Sequence, residues 1–188
     1  MIGPYHPRFA LVALLASSVS PITLAGQQPA LDPGSYLIGG EASFSSQSRS
    51  EFDEDAIELT LMPYVQYFVS RGLAIGGELE LARSSYGDLT ITQFGIGPAI
   101  SYYFVKSSPV QPFARGSIRL ARAMSKTDSA DSDQNLFGYR FAGGILVLLS
   151  DAVGLDMSLY YDRVQYRNHT DIDHTTFGLA VGISAFLF

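Results

Sequence analysis

The sequence predicts an all-β fold, a membrane-spanning antiparallel up-and-down β-barrel of about eight strands. Three observations carry that expectation. Apolar and polar residues alternate with a period of two along most of the chain, the pattern of strands with one apolar and one polar face. The alternating segments each run for about 11 to 18 residues, whereas strands of globular proteins are nearer five or six and a tilted strand crossing a bilayer needs about 9 to 11. The connections between them alternate between short and long, as they do when the two ends of a barrel face different compartments.

In chain order, the first element is a secretory signal. Arg8 supplies the positive charge, "FALVALLASSV" the apolar stretch and Thr23-Leu24-Ala25 a small-residue cleavage site. A membrane-anchor helix is the weaker reading, because the apolar stretch is short and broken by Ser17, Ser18, Ser20 and Pro21. Residues 1–25 are thus expected to be a cleavable signal peptide, and 26–188 a single exported domain with no internal linker.

Eight strand segments follow, at 34–45, 55–68, 73–85, 88–105, 110–122, 137–149, 153–165 and 174–188. In the second, Ile57, Leu59, Leu61, Val65 and Tyr67 share one parity, while Glu58, Thr60 and Gln66 share the other. In the third, Leu73, Ile75, Leu79 and Leu81 oppose Glu78 and Glu80. In the seventh, Leu155, Met157, Leu159 and Tyr161 oppose Asp156, Ser158 and Asp162. Short turns are expected at 70–72, 106–109 and 150–152. Longer polar links are expected at 46–54, 122–135 and 164–174, with a shorter one around 86–88. The glycine pairs 39–40, 76–77 and 143–144 fall in mid-strand, where glycine permits bending and close approach in a tight barrel.

Aromatic residues gather toward the strand ends. Tyr64, Tyr67, Phe68, Tyr102, Tyr103, Phe104, Phe113, Phe186 and Phe188 lie near the short turns, and Phe44, Phe137, Tyr139, Tyr160 and Tyr161 toward the long links. Two such bands read as the girdles that anchor a barrel at its two interfaces.

The apolar parity is then expected to face lipid and the polar parity the lumen. The lumen set is Glu41, Glu58, Glu78, Glu80, Arg115, Arg119, Arg140 and Asp156. An eight-stranded barrel has an interior only just wide enough for side chains, so charges of both signs there should pair into a packed structural network. An ion path or gate is the functional alternative. The net charge of −6, with no clustered Lys or Arg, excludes a nucleic-acid binder. The absence of Cys excludes disulfides, thiolate metal sites and thiol catalysis.

The stretch "LMPYVQYFVSRGLAIGGELEL" (61–81) and the terminal Phe188 resemble the bacterial outer-membrane β-barrel domain family, the small barrels that include the OmpA and OmpX transmembrane domains. The resemblance covers nearly all of the mature region. It implies residence in the outer membrane among lipid and lipopolysaccharide, and a terminal Phe188 read as the insertion signal by the barrel-insertion machinery. One feature departs from the family pattern. Phe177, Leu179, Val181 and Ile183 are odd-numbered, whereas Phe186 and Phe188 are even, so a one-residue bulge near Ser184-Ala185 is expected to restore the phase.

The residues offer little for chemistry. His169 and His174 have Thr170, Thr175 and Thr176 as neighbours, with no Ser beside either, so a serine-type triad is not visible. "HTDIDH" (169–174) carries metal-ligand types on no rigid element. "DSDQN" (131–135) begins like a calcium loop, but Leu136 and Ala142 stand where the turn Gly and the bidentate Glu are needed. The expectation is therefore a structural or surface-interaction barrel without cofactor, metal or catalytic residues. A narrow porin-like conduit for small solutes or apolar molecules is the alternative, and a lipid-modifying enzyme the third reading.

Overall fold

Each alternating segment offers backbone hydrogen-bonding groups on both sides, and a sheet that closes on itself leaves no open edge to aggregate. The computed structural model describes residues 29–48, 55–86, 89–105, 107–127, 130–166 and 173–188. They contain β1 (Tyr36–Ser48), β2 (Asp55–Ser70), β3 (Leu73–Tyr86), β4 (Leu89–Tyr103), β5 (Val110–Thr127), β6 (Ala130–Leu148), β7 (Val153–Tyr166) and β8 (Asp173–Leu187), preceded by one 3-10 turn, Pro29–Leu31. Each strand pairs antiparallel with the next, and β8 pairs with β1 to close the barrel. The expected signal peptide lies outside the described residues.

The pairing fixes the stagger. From Tyr36 the register passes through Tyr67, Ile75, Ile100, Gly116, Phe141, Tyr161 and Phe177. Continuing the β8–β1 register beyond Ser43↔Ala180 then returns it to Ser46, ten residues further along β1. A closed barrel with such a shear must tilt its strands, typically by about 35–45°. The three short connections and both ends of the strand set share one end of the barrel, the periplasmic end by the usual polarity of these folds.

The strands run further into the expected links than the sequence suggests. Of residues 122–135, read as a polar link, 122–127 continue β5 and 130–135 begin β6 instead, paired from Arg122↔Asn135 to Thr127↔Ala130. A strand that leaves the bilayer has water on both faces, so it loses the hydropathy contrast that reveals strands in the sequence. Residues 46–48 likewise extend β1. The tips of the other long links, at 49–54, 87–88 and 167–172, lie outside the described residues. So do Lys106 in the second short turn, residues 128–129, and His169 within "HTDIDH". The stretch once comparable to a calcium loop, 131–135, is strand.

The faces are inverted relative to a soluble protein. Leu59, Leu61, Val65, Ile75, Leu81, Ile96, Ile100, Leu120, Met157, Leu159, Leu179, Val181 and Ile183 are all exposed on the outer wall, Leu159 at 66%. Leu79 shares their parity and is half-buried. The inner wall holds Glu41, Glu78, Glu80, Arg115, Arg119, Arg140 and Asp156, all buried. Only a hydrocarbon surround makes that arrangement favourable, because exposed apolar area on this scale would aggregate in water.

The aromatic bands are thinner than the sequence suggests. Tyr36, Tyr67, Tyr102, Phe104 and Phe188 face outward at the periplasmic end. Tyr36 packs 5.1 Å from Tyr67 and Tyr102 packs 5.0 Å from Phe104, centroid to centroid. Tyr139, Phe141, Tyr161 and Phe177 form a contiguous outer ladder, with the Tyr161–Phe177 centroids 4.9 Å apart. Tyr64, Phe68, Tyr103, Phe113, Tyr160 and Phe186 are instead buried inside the barrel. They lie on the polar parity, and parity outranks banding. The side chain of Phe44 lies outside the described residues.

The bulge expected at Ser184-Ala185 does not exist. The β8 ladder is unbroken against β1 from Ser43↔Ala180 to Tyr36↔Leu187 and against β7 through Val153↔Ala185. Phe186 therefore points inward, where it is fully buried. Leu187 points out, and Phe188 follows the last ladder pair with its side chain exposed. The apolar interior at the periplasmic end accepts Phe186, so no register slip is needed.

Candidate functional site

Most of the charged residues that alternation places inside meet across the lumen in two tiers. In the lower tier Arg115 of β5 donates from Nη1 to Glu41 Oε1 of β1 at 2.7 Å and from Nε to Ser101 Oγ at 3.1 Å. Its guanidinium lies 4.1 Å from the centroid of the Tyr64 ring. Tyr64 OH donates to Asp156 Oδ2 at 2.8 Å and lies 2.8 Å from Ser184 Oγ, which also donates to Asp156. Tyr64 is seated by Gly39 on β1: a Cβ at that position would come within 2.6 Å of the ring.

In the upper tier Arg119 of β5 is surrounded by three carboxylates. Its Nε lies 2.6 Å from Glu80 Oε2, its Nη1 3.5 Å from Glu78 Oε1, and its Nη2 2.5 Å from Asp162 Oδ2. Ser117 Oγ donates to Glu78 at 2.5 Å, and Gln93 donates to Glu80. Arg140 of β6 links the tiers, with Nη2 3.6 Å from Glu41 Oε2 and Nη1 3.9 Å from Asp162 Oδ2. The same Nη1 reaches Met62 Sδ at 2.8 Å, and the Arg140 guanidinium stacks 3.7 Å from the Tyr160 ring centroid.

Glu58 stands apart. It is half-buried toward the outer end and accepts a hydrogen bond from Thr60 Oγ1 at 3.3 Å, and no described ion pair joins it to an arginine. Asp162 is the partner that the sequence set omits, although its parity within 153–165 matches Asp156 and would have placed it inside. Met62, Tyr64, Tyr160, Ser101, Ser117 and Ser184 also belong to the network; their parity was visible, their partners were not. Phe188 touches none of it.

Below the tiers the barrel is closed by apolar side chains. Leu37, Phe68, Ala74, Tyr103, Phe113, Leu146 and Phe186 form one buried apolar cluster with Ala30 and Leu31 from the segment before β1. Phe68 stacks on Phe186 at 6.5 Å, and Tyr103 packs on Phe113 at 5.5 Å. The interior is thus a charged, hydrogen-bonded core resting on an apolar floor. Among the described residues no three metal-ligating side chains stand together as a metal site.

A closed eight-stranded barrel with lipid-facing apolar walls and a packed ionic interior defines a small integral membrane β-barrel. A family model for the outer membrane protein beta-barrel domain matches residues 9–184, and the chain belongs to that family, whose members reside in the bacterial outer membrane. Solved structures share the fold. Neisserial surface protein A is 19% identical, with 81% of this chain and 98% of that one aligned and a TM-score of 0.63. OprG from Pseudomonas aeruginosa is 13% identical, covering 83% and 97% with a TM-score of 0.54, and Ail of Yersinia pestis is 10% identical, covering 82% and 99% with a TM-score of 0.52. At these identities the likeness is one of fold. Comparison with curated proteins returned no match.

Proposed function

We propose that the protein is a non-conducting outer-membrane barrel whose role is structural or lies in interactions made by its outer loops. The observation that supports this reading is the filled lumen. Arg115, Arg119 and Arg140 span it in ion pairs with Glu41, Glu78, Glu80 and Asp162, above an apolar floor in which Leu31 is completely buried. A solute crossing this barrel would have to separate desolvated ion pairs, each of which is costly to break. The sequence at the outer end is rich in acidic residues, among them Glu51, Asp53 and Glu54 between β1 and β2 and Asp128, Asp131 and Asp133 where β5 passes into β6. By charge these stretches suit a basic partner or cations bridging lipopolysaccharide. Ail is by name an attachment invasion locus protein, and a surface role for this chain rests on the filled lumen and not on that name.

The reading assigns the protein no reaction. The hydroxyls closest to a carboxylate, Tyr64 and Ser184 on Asp156 and Ser117 on Glu78, are all buried in the lumen. Planar-bilayer recording tests the proposal, and the expected result is the absence of stable current steps from the purified barrel. A reproducible single-channel conductance would establish the conduit instead. Altered lipid A mass spectra in a deletion strain would establish an enzyme.

A further inference from the structure

The apolar floor has an unusual occupant. Two of its buried side chains come not from the barrel wall but from the segment that precedes it. Ala30 and Leu31 are buried to 1% and 0% among residues of β1, β2, β3, β4, β5, β6 and β8. A cluster that draws on seven strands has no existence before the barrel closes. The strand ladders begin at Tyr36↔Tyr67 and Tyr36↔Leu187, so the segment meets the strand pairing only through the backbone of Phe68, which bonds Gly34 and Ser35.

The backbone of the segment is tied to one place. Gly72 N donates to Leu31 O at 2.9 Å, Gly34 N to Phe68 O at 3.0 Å, and Phe68 N to Ser35 O at 2.9 Å, all on the β2–β3 hairpin. Asp32 and Arg71, both partly exposed, add a 3.6 Å ion pair on the same hairpin. Gly72 takes a positive φ of 78° at this turn, which lets its amide face the strap.

We propose that residues 29–35 form a stopper: a strap that docks into the periplasmic mouth after barrel closure, seals the polar lumen from periplasmic water, and can leave without opening the wall. Leu31 acts as the chain's own apolar ligand for this pocket. Just above it lie the polar side chains Gln66 and Ser101, each buried to 1%, and the seal keeps water from them.

The chain contains no Cys, so a single introduced thiol is a clean reporter. Ser101 lies on β4 one inward position above Tyr103, behind the pocket. Full-length protein carrying Ser101→Cys would be folded in detergent and treated with a small water-soluble thiol reagent, alone and combined with Leu31→Ala or Leu31→Asp. The expected result is slow labelling in the parent and labelling faster by about tenfold or more in Leu31→Asp, with a smaller rise in Leu31→Ala, as for a group uncovered by a local opening. Strand circular dichroism and heat-modifiable gel mobility should be retained. Equal labelling rates in all three proteins would overturn the proposal, and so would failure of both variants to fold, since the strap would then be part of the wall. Should only Leu31→Asp fail to fold, the Leu31→Ala rate decides on the same criterion.

Discussion

Arg115 and Arg122 both lie on β5 and both pair with a carboxylate, yet they belong to different solvents. Arg115 and Glu41 are desolvated, whereas Arg122 and Asp133 are more than half exposed above the bilayer. Removing one partner of a buried pair strands a charge and costs about 3–5 kcal/mol, while an exposed pair contributes about 0–1 kcal/mol. Arg115→Ala should therefore lower the urea midpoint of the lipid-folded barrel strongly, and Arg122→Ala should leave it nearly in place. A glycine pair makes the same point sterically. A Cβ at Gly39 would meet the Tyr64 ring at 2.6 Å, and that ring is pinned by Asp156, Ser184 and the Arg115 guanidinium. At the outward Gly77 the nearest atom would be 3.5 Å away. Gly39→Ala should cost about 1–3 kcal/mol through overpacking and Gly77→Ala little, both measured as unfolding free energies.

At the scale of the strand, alternation was legible and partner choice was not. The parity of 55–68 or 153–165 assigns each side chain to lipid or lumen, because a one-residue slip would move the whole apolar set to the wrong face. What parity cannot give is that Arg119 on β5 meets Asp162 on β7, since that encounter depends on shear and crosses the lumen. Nor can it give the outer ends of β5 and β6, where hydropathy contrast vanishes. Banding of aromatics misassigned Tyr64, Phe68, Tyr103 and Phe186, which their own parity places inside. The face assignment is testable on β7: Leu159→Arg should cost about 2–4 kcal/mol and impair folding into lipid, while Leu159→Phe should be tolerated. The continuous β8 register makes a second test. Deleting Ala185 should turn Phe186 out of the floor and destabilise the barrel. Deleting Phe188 should leave the folded barrel as stable as before and, if Phe188 is the insertion signal, should slow assembly in cells, read as the ratio of unfolded to heat-modifiable band.

At the scale of the whole molecule, the interior ties strands that never touch along their edges. Arg119 on β5 pairs with Glu78 and Glu80 on β3 and with Asp162 on β7, and Arg140 on β6 joins Asp162 to Glu41 on β1. Wall hydrogen bonds connect only neighbours, so all of these pairs except Arg140–Asp162, which face each other on adjacent strands, add contacts between non-adjacent strands. Their energies should be strongly non-additive. Arg119→Met alone leaves Glu78, Glu80 and Asp162 facing one another without their shared cation and should cost about 3–5 kcal/mol. Adding Glu78→Gln, Glu80→Gln and Asp162→Asn removes the stranded charges and should recover most of that loss, because a neutral interior of similar volume need not be less stable than an ionic one. The measurement is the unfolding free energy of the single and the quadruple variant in the same lipid. A quadruple variant less stable than Arg119→Met would show that the carboxylates hold the barrel through partners other than this arginine.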